Sequence, residues 1–131
     1  MKKASIIINF DEKGDIIYNK DYDGSEWWRK YNDKRNEIYY KDSTGFEFWK
    51  EYDEKENEIL YKDSTGFSYI KEYDNNRNVI HIKKSNGKES WHDYDEKGNE
   101  IHYKDSDGNE YWNEYEYFEN GQIKSYKRFD K

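Results

Sequence analysis

The chain has 131 residues with 23 basic and 30 acidic side chains, a formal net charge of −7, no Cys and no Pro. Zero Cys excludes disulfides, thiol catalysis and Cys-based metal sites, and the finely mixed, net acidic charge disfavours direct binding to phosphate backbones. Ile, Leu, Val and Phe together make up only about 15% of the chain, which beside 40% charged residues would suggest disorder, but 15 Tyr, 6 Phe and 5 Trp reverse that reading.

The N-terminal segment "KASIIINF" replaces the pattern of later segments with an Ile run. Three consecutive Ile before charges resume are too few for a signal h-region or a membrane span, so the expected location is the cytoplasm. From there one sentence is written repeatedly. Gly24, Gly45, Gly66, Gly87 and Gly108 are spaced by 21 residues, as are Ile17, Ile38, Ile59, Ile80 and Ile101. Tyr31, Tyr52, Tyr73, Tyr94 and Tyr115 keep the period, and Trp28, Trp49, Trp91 and Trp112 share a column in which Ile70 is the departure. Such a repeat sets the architecture before any local reading.

Each unit carries two turn signals. "DYDG", "DSTG", "DSTG", "KSNG" and "DSDG" place Gly where a type I turn followed by a left-handed residue needs it. "DEKGD", "NDKRN", "DEKEN", "DNNRN" and "DEKGN" are polar, and the leading Asp or Asn can bond its own turn. Between them lie β-rich runs such as "FEFWKEY" and "NEILYKD", too short for helices and aromatic or β-branched at their apolar positions.

Three loop residues (Ser43, Thr44, Gly45), four in the other turn (Asp53 to Glu56) and two strands of about seven residues account for the period. In that register Lys20 faces Glu26, Lys41 faces Glu47, Lys83 faces Glu89 and Lys104 faces Glu110, while Lys62 faces Ser68. One face carries Phe48, Tyr52, Ile59, Tyr61 and their equivalents. The other carries Tyr18, Trp28, Tyr39, Trp49, Leu60, Ile70, His81, Trp91, His102 and Trp112. The expected fold is all-β: an antiparallel meander of about six hairpin repeats, about 12 strands, in an extended or coiled twisted sheet. The tail "YEYFENGQIKSYKRFDK" breaks the spacing. Residues 1–131 are read as one array, with an N-terminal capping unit at 1–23, regular repeats at 24–107 and a C-terminal capping unit at 108–131.

"YDEKGNEIHY" with its Gly-marked partner turn resembles the YD, or Rhs-type, repeats, and "EYFENGQIKSYKRF" resembles the MORN-variant repeats. Cell-wall-binding repeats share the near-21 period, but their Gly-Trp signature is missing. The resemblance implies hairpins assembled into sheets and a habit of binding macromolecules. It implies no active-site residue.

No nucleophile elbow, P-loop or dinucleotide glycine motif occurs, and the carboxylates recur in every unit as ion-pair rows would, so no catalytic residue, metal or cofactor is assigned. His81 and His102 lie two strands apart, about 10 Å, too far to share an ion. "DYDG" and "DSDG" echo calcium loops, but equivalent turns lack the ligands. The candidate binding residues are the aromatic band (Tyr18, Trp28, Tyr39, Trp49, Trp91, Trp112) and the acidic rows (Glu51, Glu58, Asp93, Glu100, Glu114). The expected function is non-enzymatic binding of a protein with a basic surface, in one version as a small inhibitor of a nucleic-acid-handling enzyme. A carbohydrate or cell-surface module that stacks sugars on the band, or a structural fragment of a larger Rhs-like or MORN-like assembly, is the alternative.

Overall fold

The computed structural model describes residues 2–131, and among them every regular element is a β-strand. Twelve strands follow one another in chain order in an antiparallel sheet, as the turn spacing predicts. The chain divides into compact units of residues 1–69 and 70–131. The first holds β1 (Ile7–Phe10), β2 (Ile16–Lys20), β3 (Glu26–Tyr31), β4 (Glu37–Asp42), β5 (Glu47–Tyr52) and β6 (Glu58–Asp63). The second holds β8 (Val79–Lys84), β9 (Glu89–Tyr94), β10 (Glu100–Asp105), β11 (Glu110–Tyr117) and β12 (Ile123–Asp130), and β7 (Ser68–Tyr73) spans the division.

The cross-strand register is the expected one at the four pairs that define it: Lys20 opposite Glu26, Lys41 opposite Glu47, Lys83 opposite Glu89 and Lys104 opposite Glu110. The loop arithmetic differs. In the Gly turn the Gly45 N–H donates to the Asp42 carbonyl (3.1 Å) and the Asp42 N–H to that of Phe46 (3.0 Å), leaving residues 43–45 as the loop. The polar turn closes in the same way, Glu56 N–H to Asp53 (3.1 Å) and Asp53 N–H to Asn57 (2.9 Å), so its loop is residues 54–56 and not four residues. The remaining residue sits in a β-bulge. Glu51 opposes Leu60 while Tyr52 opposes Glu58, so Ile59 is the extra residue. Ile17, Ile38 and Ile101 occupy the same place in their hairpins. At these four positions the Ile column is therefore a bulge column, and it lets an odd period return the rings to their own face.

The polar turns use their leading Asp or Asn as anticipated. Asp53 Oδ1 accepts the N–H groups of Lys55 and Asn57, each at 2.9 Å, and Asp11, Asn32, Asp74 and Asp95 make the same pair of bonds. The Ser of the Gly turn does more than turn. Ser43 donates its N–H to the Glu26 carbonyl (2.8 Å) and accepts the Glu26 N–H on its hydroxyl (3.1 Å). Ser64 does the same to Glu47, and Ser106 to Glu89. Each such Ser ties its turn to the preceding repeat.

No hydrophobic side chain is buried among the described residues, and Asn113, 8% exposed, is the single buried one. Stability here comes from cross-strand pairs, not from a core. On one face of the first unit, rings form a continuous row: Tyr40 on Phe48 at 5.1 Å, Phe48 on Tyr61 at 5.7 Å, Tyr61 on Tyr69 at 5.3 Å. The period-21 Tyr column fastens the backbone. Tyr31 donates to the Ile16 carbonyl (3.2 Å) and Tyr52 to that of Glu37 (2.8 Å); in the second unit Tyr94 donates to Val79 (2.8 Å) and Tyr115 to Glu100 (3.1 Å). These carbonyls lie where the ladders end at the bulges, so the phenols satisfy acceptors that the sheet leaves over. At the C-terminus β11 and β12 are eight residues long instead of six. The insertion of two residues is even, so it lengthens the hairpin without exchanging faces.

The left-handed loop position is Gly14 or Gly98 in two turns but Arg35 (φ 68°), Glu56 (φ 67°) and Arg77 (φ 66°) in three. An L-residue there costs roughly 1–2 kcal/mol, partly offset in glycine by its larger entropy loss. Arg77→Gly is expected to raise stability by about 0.5–1 kcal/mol, read as a higher urea midpoint at unchanged slope. Tyr52→Phe, which strands the Glu37 carbonyl, is expected to lower it by about 0.5–1.5 kcal/mol in the same assay.

Candidate functional site

Residues directly opposite on neighbouring strands point to the same side of a sheet, so the pairings sort the side chains. In the first unit Trp28, Lys30, Tyr39, Lys41, Glu47, Trp49, Glu51, Leu60 and Lys62 share one face, here the Trp face. Trp27, Arg29, Tyr31, Tyr40, Phe48, Lys50, Tyr52, Glu58 and Tyr61 share the other, the Tyr face. In the second unit the Trp face carries His81, Trp91, Asp93, His102, Trp112 and Glu114, and the Tyr face His92, Glu100, Tyr103, Tyr111 and Asn113.

All six residues of the aromatic band lie on the Trp face of their unit. Tyr18 meets Trp28 with ring centroids 5.5 Å apart and Tyr39 meets Trp49 at 5.7 Å. In the second unit His81 stacks on Trp91 at 5.3 Å and 11°, and His102 on Trp112 at 5.2 Å and 12°. The acidic residues divide. Glu51, Asp93 and Glu114 stand on the Trp face beside the indoles and are exposed. Glu58 and Glu100 stand on the Tyr face and are engaged there: Glu58 by Lys50 (3.4 Å) and the Tyr69 hydroxyl, Glu100 by His92 (2.7 Å) and the Tyr111 hydroxyl (2.5 Å). That arrangement, with burial as the larger cause, pushes the Tyr111 phenol up to about 12, and it stays a proton donor at any physiological pH.

The two faces differ in how fully their polar groups are used. On the Tyr face phenols, carboxylates and bases are bonded to one another or to backbone. On the Trp face no indole N–H of Trp28, Trp49, Trp91 or Trp112 has a protein acceptor among the described residues, and Trp28 (37%), Trp91 (40%) and Trp112 (41%) are exposed. Straight across the strands, the rows also differ in charge. Trp49 lies in a row running Lys30, Tyr39, Trp49, Lys62, with Lys30 Nζ 5.3 Å from the Tyr39 ring and Lys62 Nζ 5.3 Å from the Trp49 ring. Trp112 lies in the corresponding row Asp93, His102, Trp112, Phe129, where both lysine positions have lost their cation.

Spacing sets His81 and His102 too far apart to share an ion but does not reveal their partners. His81 Nε2 lies 3.0 Å from Glu89, with Glu72 3.6 Å from Nδ1; His102 lies 3.0 Å from Asp93 through Nδ1 and 3.0 Å from Glu110 through Nε2. The two nitrogens of each ring face different carboxylates. Hydrogen bonds to Asp93 and then Glu110 raise the His102 pKa above its ordinary 6.5, and the His102 bond lowers that of Glu110. Asn113 was also missed. It occupies the column of Arg29, Lys50 and His92, donates to the Glu100 carbonyl (2.9 Å) and accepts from Tyr126 (3.1 Å).

No protein-family model matches the chain, and no curated protein does. The likeness is to solved structures. The chain is similar to a chain in the crystal structure of TcdB2-TccC3-Cdc42, with a TM-score of 0.68 and 17% identity over 90% of this chain and 7% of the other. It is similar in the same degree, TM-score 0.68 and 15% identity, to a chain in the crystal structure of TcdB2-TccC3, over 84% of this chain and 6% of that one. A third likeness is to a chain of the Photorhabdus luminescens Tc holotoxin pore carrying the mutation TccC3-D651A, with a TM-score of 0.57 and 15% identity over 95% of this chain and 9% of that one. The fold is thus a YD/Rhs-like hairpin-repeat sheet. The chain spans less than a tenth of the length of these neighbours.

A raised folded-state pKa at His102 means that its stabilising contribution is full below the ordinary value and is lost as pH rises through the raised one. The melting-temperature gap between the native chain and His102→Leu is therefore expected to be widest near pH 6 and to narrow by pH 9. A gap independent of pH would show that the clamp contributes no charge-dependent stability.

Proposed function

We infer that this YD/Rhs-like repeat sheet is a structural module that works by binding, without catalysis, and that its Trp faces engage a protein partner with a basic surface. The observation that carries this reading is the unequal use of the faces: the Tyr faces bond internally, whereas the Trp faces present exposed indoles with free N–H groups beside exposed carboxylates. Exposed Trp flanked by charge is the composition of interface hot spots, and a net charge of −7 favours encounter with a basic partner. A small inhibitor that places acidic rows in a groove built for phosphates is one form such binding would take. The stacking of sugars on the same indoles is the second reading, favoured by the same free N–H groups.

The test uses the intact chain as bait against native-host lysate, with Trp91→Ala/Trp112→Ala as the comparison after circular dichroism has confirmed its fold. A partner retained by the native chain and lost by the variant is expected, with affinity falling steeply between low and physiological salt. Affinity that does not respond to salt would sink the electrostatic part of the reading. Glycan-array binding lost with the same two residues would favour sugar stacking in its place.

A further inference from the structure

The Tyr faces show how this sheet holds an arginine. Arg29 lies over the Trp27 ring, 4.4 Å from guanidinium carbon to centroid, and is ion-paired with Glu37 at 3.0 Å. Arg128 lies over the Tyr111 ring at 3.7 Å and is ion-paired with Asp130 at 2.7 Å. In each case a guanidinium covers an aromatic ring and meets a carboxylate on the same face.

The Trp face of the second unit has the ring and a free carboxylate: one side of the Trp112 ring stacks on His102 at 5.2 Å, and His102 is ion-paired with Asp93 at 3.0 Å. Trp112 is 41% exposed, Glu114 stands two residues along the same strand and face, and Asp93 lies in the same cross-strand row. Asp93 is 68% exposed at its side chain. Lys127 is opposite Glu114 but makes no ion pair with it, and no lysine or arginine among the described residues lies over the Trp112 ring. At the corresponding row of the first unit Lys30 and Lys62 cover the rings of Tyr39 and Trp49. The same lattice positions at Trp112 are Asp93 and Phe129, an acidic and an apolar residue.

We propose that Trp112, with Glu114 beside it, is a receptor for an arginine side chain of the protein partner, the guanidinium stacking on the side of the indole away from His102 and bonding to the Glu114 carboxylate. This rests on the reading of the Trp faces given above and narrows it to one residue type and one unit. A planar guanidinium can cover a ring and present its edge to a carboxylate at once, whereas an ammonium offers a point charge only, so arginine is preferred to lysine. The equivalent indole at Trp49 already carries Lys62 and takes no external cation.

A short Arg-Gly repeat peptide and its Lys-Gly counterpart, titrated into the full chain and followed by indole N–H shifts in NMR spectra, test the assignment. The Arg-Gly peptide is expected to bind the tighter, to move the Trp112 resonance most, and to lose about three- to tenfold in affinity with Trp112→Leu. Glu114→Gln, at an exposed residue with no internal partner, is expected to weaken binding by a similar factor and covers the case in which the Trp112 variant misfolds. Trp49→Leu is expected to leave affinity within about twofold. Equal binding of the two peptides, or an equal loss with Trp49→Leu, overturns the arginine receptor while leaving a generally basic partner in place. Failure of both peptides to bind overturns the receptor and the basic-partner reading together.

Discussion

Side-chain parity is the constraint on which the rest of this sheet depends. A strand alternates its side chains with period two, yet the repeat is 21 residues long, and an odd length threatens to send each successive Trp to the opposite face. The bulge at the Ile column removes the threat: Tyr52 meets Glu58 with Ile59 left over, and the pattern recurs at Ile17, Ile38 and Ile101. The C-terminal hairpin keeps the bulge, with Lys124 as its extra residue, and its two added residues in each strand leave parity undisturbed, with Trp112 opposite Phe129 and Tyr115 opposite Tyr126.

With parity fixed, a chain almost without aliphatics can hold a sheet. Among the described residues no hydrophobic side chain is buried, so no core term is available to offset the entropy of ordering. Ring rows on the Tyr face, phenols bonded to leftover carbonyls, Lys–Glu pairs between strands and Ser ties between repeats replace it. Tyr suits this position better than Phe or Leu because its body covers the sheet while its hydroxyl reaches backbone. The indoles of the Trp face have no such acceptor among the described residues, and that face is held by Lys–Glu and His–carboxylate pairs instead.

Much of this was legible in the sequence, because columns of identical residues declare the register. The Lys–Glu pairs, the twelve strands, the Asp-led turns and the sorting of Trp49 from Phe48 all follow from spacing. The bulge did not, since a four-residue loop and a three-residue loop with a bulge give the same period and the same faces beyond the bulge; only the bond from the Glu56 N–H to Asp53 and the face of Glu58 separate them. Glu58 and Glu100 were grouped with Glu51, Asp93 and Glu114 on charge alone, although the pairings place them on the other face with Lys50 and His92. The Ser ties and the His clamps were hidden because both depend on contacts across strands, where a residue's role is set by a partner eight to seventeen positions away.

The departures from the repeat carry the most information about function. A repeat that served only to extend a sheet would keep Tyr, Trp and two lysines in every cross-strand row, as around Trp49. Around Trp112 the lysines have become Asp93 and Phe129 and the Tyr has become His102, held by two carboxylates. His102 in its charged form is then the nearest internal cation to that indole, and it lies beside the ring in the sheet, stacked at 5.2 Å, not over its outward surface. The exchange leaves the backbone lattice intact, since His102 and Trp112 pair in the register of Tyr39 and Trp49, while the two lysine charges of the row are lost and Asp93 is balanced by His102. The Trp face thus varies from row to row while the register of the sheet is kept.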